Sequence, residues 1–206
     1  MSVTGLPVQP PRRLVRWWAV GSSILAPVAM IGGWQLAATR QPDTYDPVRD
    51  TISALAGHGA QDRWIMTLGF VVLGCCHLVT AAGLRPARPS GRILLAIGGL
   101  GVIGVAAFPV PAQGSSTAHT VAASIAFIVL CCWPLAAYPA DGPLDVLRLP
   151  VLLAVTVVLV ALLVVFYVEL HGGQQIGLTE RLLAGAQSLW PAVVTLSLCR
   201  GAFFRR

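Results

Sequence analysis

Lysine is absent from this chain of 206 residues, and charge of either sign is scarce. Charged residues make up 11% of the sequence, against the roughly 25% usual for a soluble domain. A water-soluble fold of this length needs charged side chains to cover its surface. The deficit excludes that class and points to lipid around most of the outside. The 56% hydrophobic content and mean hydropathy of +0.76 agree. All fourteen basic residues are Arg, and the net charge is +6. That charge is spread between loops instead of forming a groove-sized patch, which argues against a nucleic-acid partner. CxxC pairs are missing as well, so a zinc site of ordinary spacing is not expected. The five cysteines, an odd number, all fall inside or at the ends of apolar runs and read as small buried apolar residues. Neither a metal nor a cofactor is expected from these features.

What the chain does have is six long apolar runs, at about 14–38, 64–84, 93–108, 118–138, 149–168 and 182–199. Most approach the ~20 residues that cross a ~30 Å hydrocarbon core at 1.5 Å per residue. The run at 93–108 is short, and Pro191 interrupts the last. The first follows Arg12, Arg13 and Arg16. It is longer than the ~7–15 apolar residues of a signal peptide and lacks a small-x-small cleavage site, so it reads as an uncleaved span. The expected fold class is all-α: one integral membrane domain over 1–206, a bundle of six transmembrane helices plus a short amphipathic helix in the first outer loop.

Loop arginines set the expected orientation. Arg12, Arg13, Arg16, Arg85, Arg88, Arg92, Arg148, Arg200, Arg205 and Arg206 fall on one side with Asp141 and Asp145. Arg40, Arg49, Arg63 and Arg181 fall on the other with Asp43, Asp46, Asp50, Asp62, Glu169 and Glu180. Ten Arg against four place both termini in the cytoplasm of a cell-membrane protein. Trp17, Trp18, Trp133 and Tyr138 near the inner interface and Trp34, Trp64 and Tyr167 near the outer fit an aromatic belt.

The longest connection, Arg40 to Arg63, carries YDPVRDTISALAGHG. Asp46 suits a helix N-cap, Pro47 the first helical position and Gly57 the stop. Val48, Thr51, Ile52 and Leu55 recur at i, i+3, i+4, i+7, predicting one apolar face, with Arg49, Asp50 and Ser53 off it. Such a helix would rest on the outer interface or cap the bundle.

Three groups of residues invite a chemical reading. Gly99, Gly101 and Gly104 spell GxGxxG, but they lie within an apolar run and no acid follows until Asp141. Close helix packing explains them better than a dinucleotide site. His77, beside Cys75 and Cys76, lies about as deep in its span as Cys131 and Cys132 in theirs, on the order of 18 Å from the outer end. A metal or redox site is conceivable there, and the plainer expectation is a His bonded across helices and packed cysteines. The third group is polar and clustered on the outer side: Asp46, Arg49, Asp50 and Ser53 on the loop helix, His119 opening the fourth span, Glu169 and His171 closing the fifth, then Glu180, Arg181 and Gln187. Polar groups at bilayer depth usually face an interior or a cavity. They are expected to converge on one outward-facing site that binds a ligand, with His119, Glu169 and Asp50 as candidates for acid–base chemistry. Mutual pairing that fastens the outer loops to the bundle is the structural alternative.

YDPVRDTISALAGHGAQDRW, the AAFPVP turn, the AHTVAA start and QIGLTERLLAGAQSLWP together resemble the family catalogued as domain of unknown function 998, in its actinobacterial branch. The resemblance spans about Tyr45 to Pro191 and implies six membrane spans without implying a reaction. A fainter similarity to intramembrane hydrolases of the alkaline ceramidase type breaks down at the missing HxxxH pair and the missing seventh span.

Three functional readings follow. The first is an outward-facing polar pocket that binds a lipid or small amphiphile. The second is an intramembrane enzyme working through His119, Glu169 and Asp50. The third is a structural or partner subunit, associating in the membrane with its own copies or with another protein. Membrane lipids are the expected partners in each.

Overall fold

The computed structural model describes residues 15–139 and 145–203. Among them are seven α-helices and one 3-10 turn, Asp145–Leu147, with no strand. Leu14, Arg12, Arg13, Asp141, Arg205 and Arg206, all used in the reading of spans and topology, lie outside the described residues.

Six of the helices are long and apolar enough to cross a membrane: α1 (Trp17–Ala38), α3 (Trp64–Gly83), α4 (Pro89–Ala107), α5 (Thr117–Ala136), α6 (Leu149–Leu170) and α7 (Ile176–Phe203). The short α2 (Ile52–Leu55) lies between the first two. Each long helix packs on the next in chain order, and α7 returns to α1, closing a ring. α7 also touches α2, α3 and α5, which makes it the hub. Backbone bonds tie the connections together at each end. At one end His58 N donates to Val110 O at 2.9 Å and Leu178 N to Val48 O at 3.0 Å. At the other, Arg16 N donates to Gly83 O at 3.2 Å and Arg88 N to Ala137 O at 3.1 Å.

Two spans differ from their expected limits. α4 starts at Pro89, not at 93, because Pro89 fits the first turn and Arg92 is held by the chain itself. Its guanidinium donates to the closing carbonyls of α3, Ala81 O at 2.7 Å and Ala82 O at 3.0 Å. α7 starts at Ile176, not at 182, and runs through Pro191. Glu180 and Arg181, which read as loop charges, are partnered by the 45–53 segment packed against α7 and so do not end it. Pro191 removes one ladder bond without breaking the helix, whose neighbours hold both halves.

The loop helix is shorter than expected. Asp46 is not its N-cap; Thr51 is, its Oγ accepting from Ala54 N at 3.1 Å. Residues 47–50 form a separate turn, in which the Asp46 carboxylate accepts from Val48 N at 2.9 Å and the Asp50 carboxylate from Asp46 N at 2.8 Å. These local acid-to-backbone bonds compete with a continuous helix. Ile52 and Leu55 are fully buried, as the periodicity implies, while Val48 is off that face and exposed.

The GxGxxG glycines sit at helix crossings. A Cβ on Gly99 would lie 2.7 Å from Gly74 O, and one on Gly101 would lie 2.9 Å from Ala126 N. Backbones of α3, α4 and α5 touch there because no side chain intervenes.

Candidate functional site

Spacing on four helices turns one face of each toward a common interior. These are Phe70, Leu73 and His77 on α3, Val102 and Val105 on α4, Ala123, Ala126, Phe127 and Leu130 on α5, and Glu180, Ala184, Gln187 and Ser188 on α7. Intervals of three, four and seven keep each set on one side of its helix. With Met30 of α1 and Ser53 of α2 they line a small cavity of about 40 Å³. That room holds a few waters. Ten of the fifteen lining residues are apolar, so the space is greasy with a few polar points.

The loop closes the cavity at the Glu180 end. The Glu180 side chain is almost wholly buried, and its two oxygens accept from Ile52 N at 2.5 Å and from Ser53 Oγ at 3.2 Å. Next to it Arg181 holds the preceding turn. Its guanidinium donates to Pro47 O at 2.7 Å, Asp50 O at 2.8 Å and Gly177 O at 2.8 Å, and to the Tyr45 hydroxyl. Gly177 permits this approach, since a Cβ there would collide with Asp50 O. Burial pushes the Tyr45 phenol above its ordinary value, and Arg181 offsets part of the shift.

Deeper in, Gln187 donates its amide to Phe127 O at 2.9 Å and to Cys131 Sγ at 3.2 Å. Ser188 Oγ donates to Gly185 O at 2.9 Å. His77 differs from these groups. It is fully buried, and neither ring nitrogen has a hydrogen-bond partner. The expected bond across helices is not made, because Gly74 and Gly99 bring α3 and α4 together through backbone alone beside it.

The outer polar set therefore divides. Ser53, Glu180 and Gln187 reach the cavity. Arg181 and Asp50 fasten the loop, and Arg49 pairs with Asp46 at 3.6 Å on the surface. His119 and Glu169 do not join them. His119 Nδ1 shares a hydrogen bond of 2.9 Å with Phe108 O, and Glu169 accepts from Gln175 N at 2.8 Å. Each completes its own tight connection, where open backbone groups are close at hand. His171 behaves likewise, bonded to Tyr167 O at 2.8 Å. Ser188 at the cavity and the lack of any partner for His77 were not anticipated. The spacing Glu180, Ala184, Gln187, Ser188 would have shown the first, had α7 been read from Ile176. Among the described residues no group of three or more His, Cys, Asp or Glu is placed to hold a metal. Cys76 and Cys131 are buried, and Cys75, Cys132 and Cys199 face outward.

Six candidate membrane spans, five of them lining a polar-pointed cavity beneath the loop helix α2, define a polytopic helical membrane protein. The chain belongs to the family described as Protein of unknown function (DUF998), whose model matches residues 24–197 and so takes in every lining residue of the cavity. Comparison with curated proteins and with solved structures found no match.

Proposed function

We propose that this protein binds a small amphiphile in the cavity beneath α2. The observation that carries the reading is the lining itself: apolar walls from five spans, with polar groups at a few points only. Ligand sites commonly combine a mostly apolar surface with a few placed polar groups. We further place the protein in the plasma membrane, with the α2 end outside and both termini cytoplasmic, on the strength of the arginine asymmetry. Acid–base catalysis through His119, Glu169 and Asp50 has no comparable support, because each is spent on its own loop.

Purification in mild detergent followed by mass spectrometry of extracted lipids tests the binding. One amphiphile class should be retained above the level of an unrelated six-span protein treated alike. Ala184→Phe, which fills the cavity from α7, should abolish that excess while the protein stays folded. Equal lipid content in the wild type and the unrelated control would remove the reading.

A further inference from the structure

Of the five polar residues that line the cavity, four make hydrogen bonds to the protein. Glu180 accepts from Ile52 N and from the Ser53 hydroxyl. Gln187 donates to Phe127 O and Cys131 Sγ, and Ser188 donates to Gly185 O. His77 alone makes none: both Nδ1 and Nε2 are buried without a partner. The other unpartnered buried polar atoms among the described residues are on Trp133, Thr156 and Trp190, none of which lines this cavity. An imidazole buried with both nitrogens unmatched is costly, so a group that enters the cavity and satisfies it gains that energy.

The chemistry of that group follows from the imidazole. In its neutral form one nitrogen donates and the other accepts. The matching partner both accepts and donates, as a hydroxyl does. Charge on the ligand is disfavoured from either side. No Arg or Lys lines the cavity to receive an anion, and Glu180, its one carboxylate, is already committed to the loop. The width excludes a bulky ring system, since the cavity is only about 40 Å³. We infer that His77 is the anchor for the polar end of the ligand, and that the ligand is a slender, uncharged amphiphile carrying a hydroxyl group. This rests on the binding proposed above and adds the ligand's class and its point of attachment.

The chain has four histidines, so imidazole nitrogens can be followed by NMR in the full-length protein labelled with 15N-His, with His77→Phe assigning the resonance. The probes are 1-octanol, octane and octanoate, added at equal mole fraction in the detergent. Octanol should shift the His77 nitrogens and leave His58, His119 and His171 unmoved. Octane and octanoate should not shift them. His77→Phe should weaken octanol binding about tenfold, the equivalent of about 1.4 kcal/mol. If octane moves cavity methyl resonances and octanol does the same without touching His77, the cavity binds chains but the anchor is wrong. If none of the probes perturbs any cavity resonance, His77 serves only a buried water, and both proposals fall. If His77→Phe does not fold, His58→Gln, His119→Gln and His171→Gln assign the remaining resonance by elimination, and the wild-type spectra still decide between these outcomes.

Discussion

Glu180 shows how a single side chain joins the loop to the bundle. Its carboxylate is buried, where an unmatched polar group is expensive, and the Ile52 amide and Ser53 hydroxyl at the start of α2 supply the donors that match it. Glu180→Ala strands the Ile52 amide and the Ser53 hydroxyl, which should cost about 1–3 kcal/mol. Glu180→Gln keeps an acceptor oxygen and should lose less. Thermal unfolding in detergent, with hydrogen exchange over 45–57, separates the two variants. An alanine variant whose loop stays as protected as the wild type would show that the fastening lies elsewhere. Tyr45 adds a pH dependence. Burial, the larger effect, raises its phenol above the ordinary 10.0. The folded protein thus keeps a proton that the unfolded chain has lost. This contribution to stability is intact below pH 10.0 and declines as pH rises through the folded value. Phenolate absorbance should show one late-titrating tyrosine, which Tyr45→Phe removes. At this scale little of the site could be read in advance. Arg181 and Glu180 were visible as charges near a span, but which carbonyls and amides they meet depends on a loop more than a hundred residues away. His77 was visible as an intramembrane polar residue, and its isolation depends on Gly74 of its own helix and Gly99 of α4.

Helices were far more legible than sites, because hydropathy and length report directly on what a bilayer accepts. α1, α3, α5 and α6 begin and end close to where the apolar runs do. α7 was misjudged at its start because Glu180 and Arg181 look like loop charges until their partners are known. α2 is shorter than the periodicity predicts because the Asp46 carboxylate accepts from Val48 N and the Asp50 carboxylate from Asp46 N, separating a turn from the helix. The glycine crossings allow a sharper test of packing. Gly99→Leu forces a side chain into Gly74 O and His77, and should destabilise the bundle by about 1–3 kcal/mol through overpacking. Gly32→Ala meets nothing within 4 Å and should leave the melting temperature unchanged or slightly higher. Similar losses from both changes would mean that the α3–α4 approach is not close.

Over the whole molecule, neither the ring closure of the six spans nor the hub position of α7 was legible in the sequence, because both depend on contacts between distant helices. The proposed orientation is open to direct labelling. A cysteine introduced at Asp46 should react with a membrane-impermeant maleimide in intact cells, above the background of the native cysteines, and one at Arg88 should not. The opposite pattern would invert the orientation and put the α2 lid in the cytoplasm. The remaining feature of the whole is α6. Its mean hydropathy is 3.2, the highest of the six, yet only 11% of it is buried by the rest of the chain. Its 22 residues make a rod about 33 Å long. Protein contacts therefore do little to hold it at its depth, and the match between its length and the surrounding hydrocarbon does most of that work. For this helix the solvent is a structural component, and thickness is a variable of its fold. In micelles of short-chain detergent α6 should lose backbone protection before any other span, and lengthening the detergent chain should restore it.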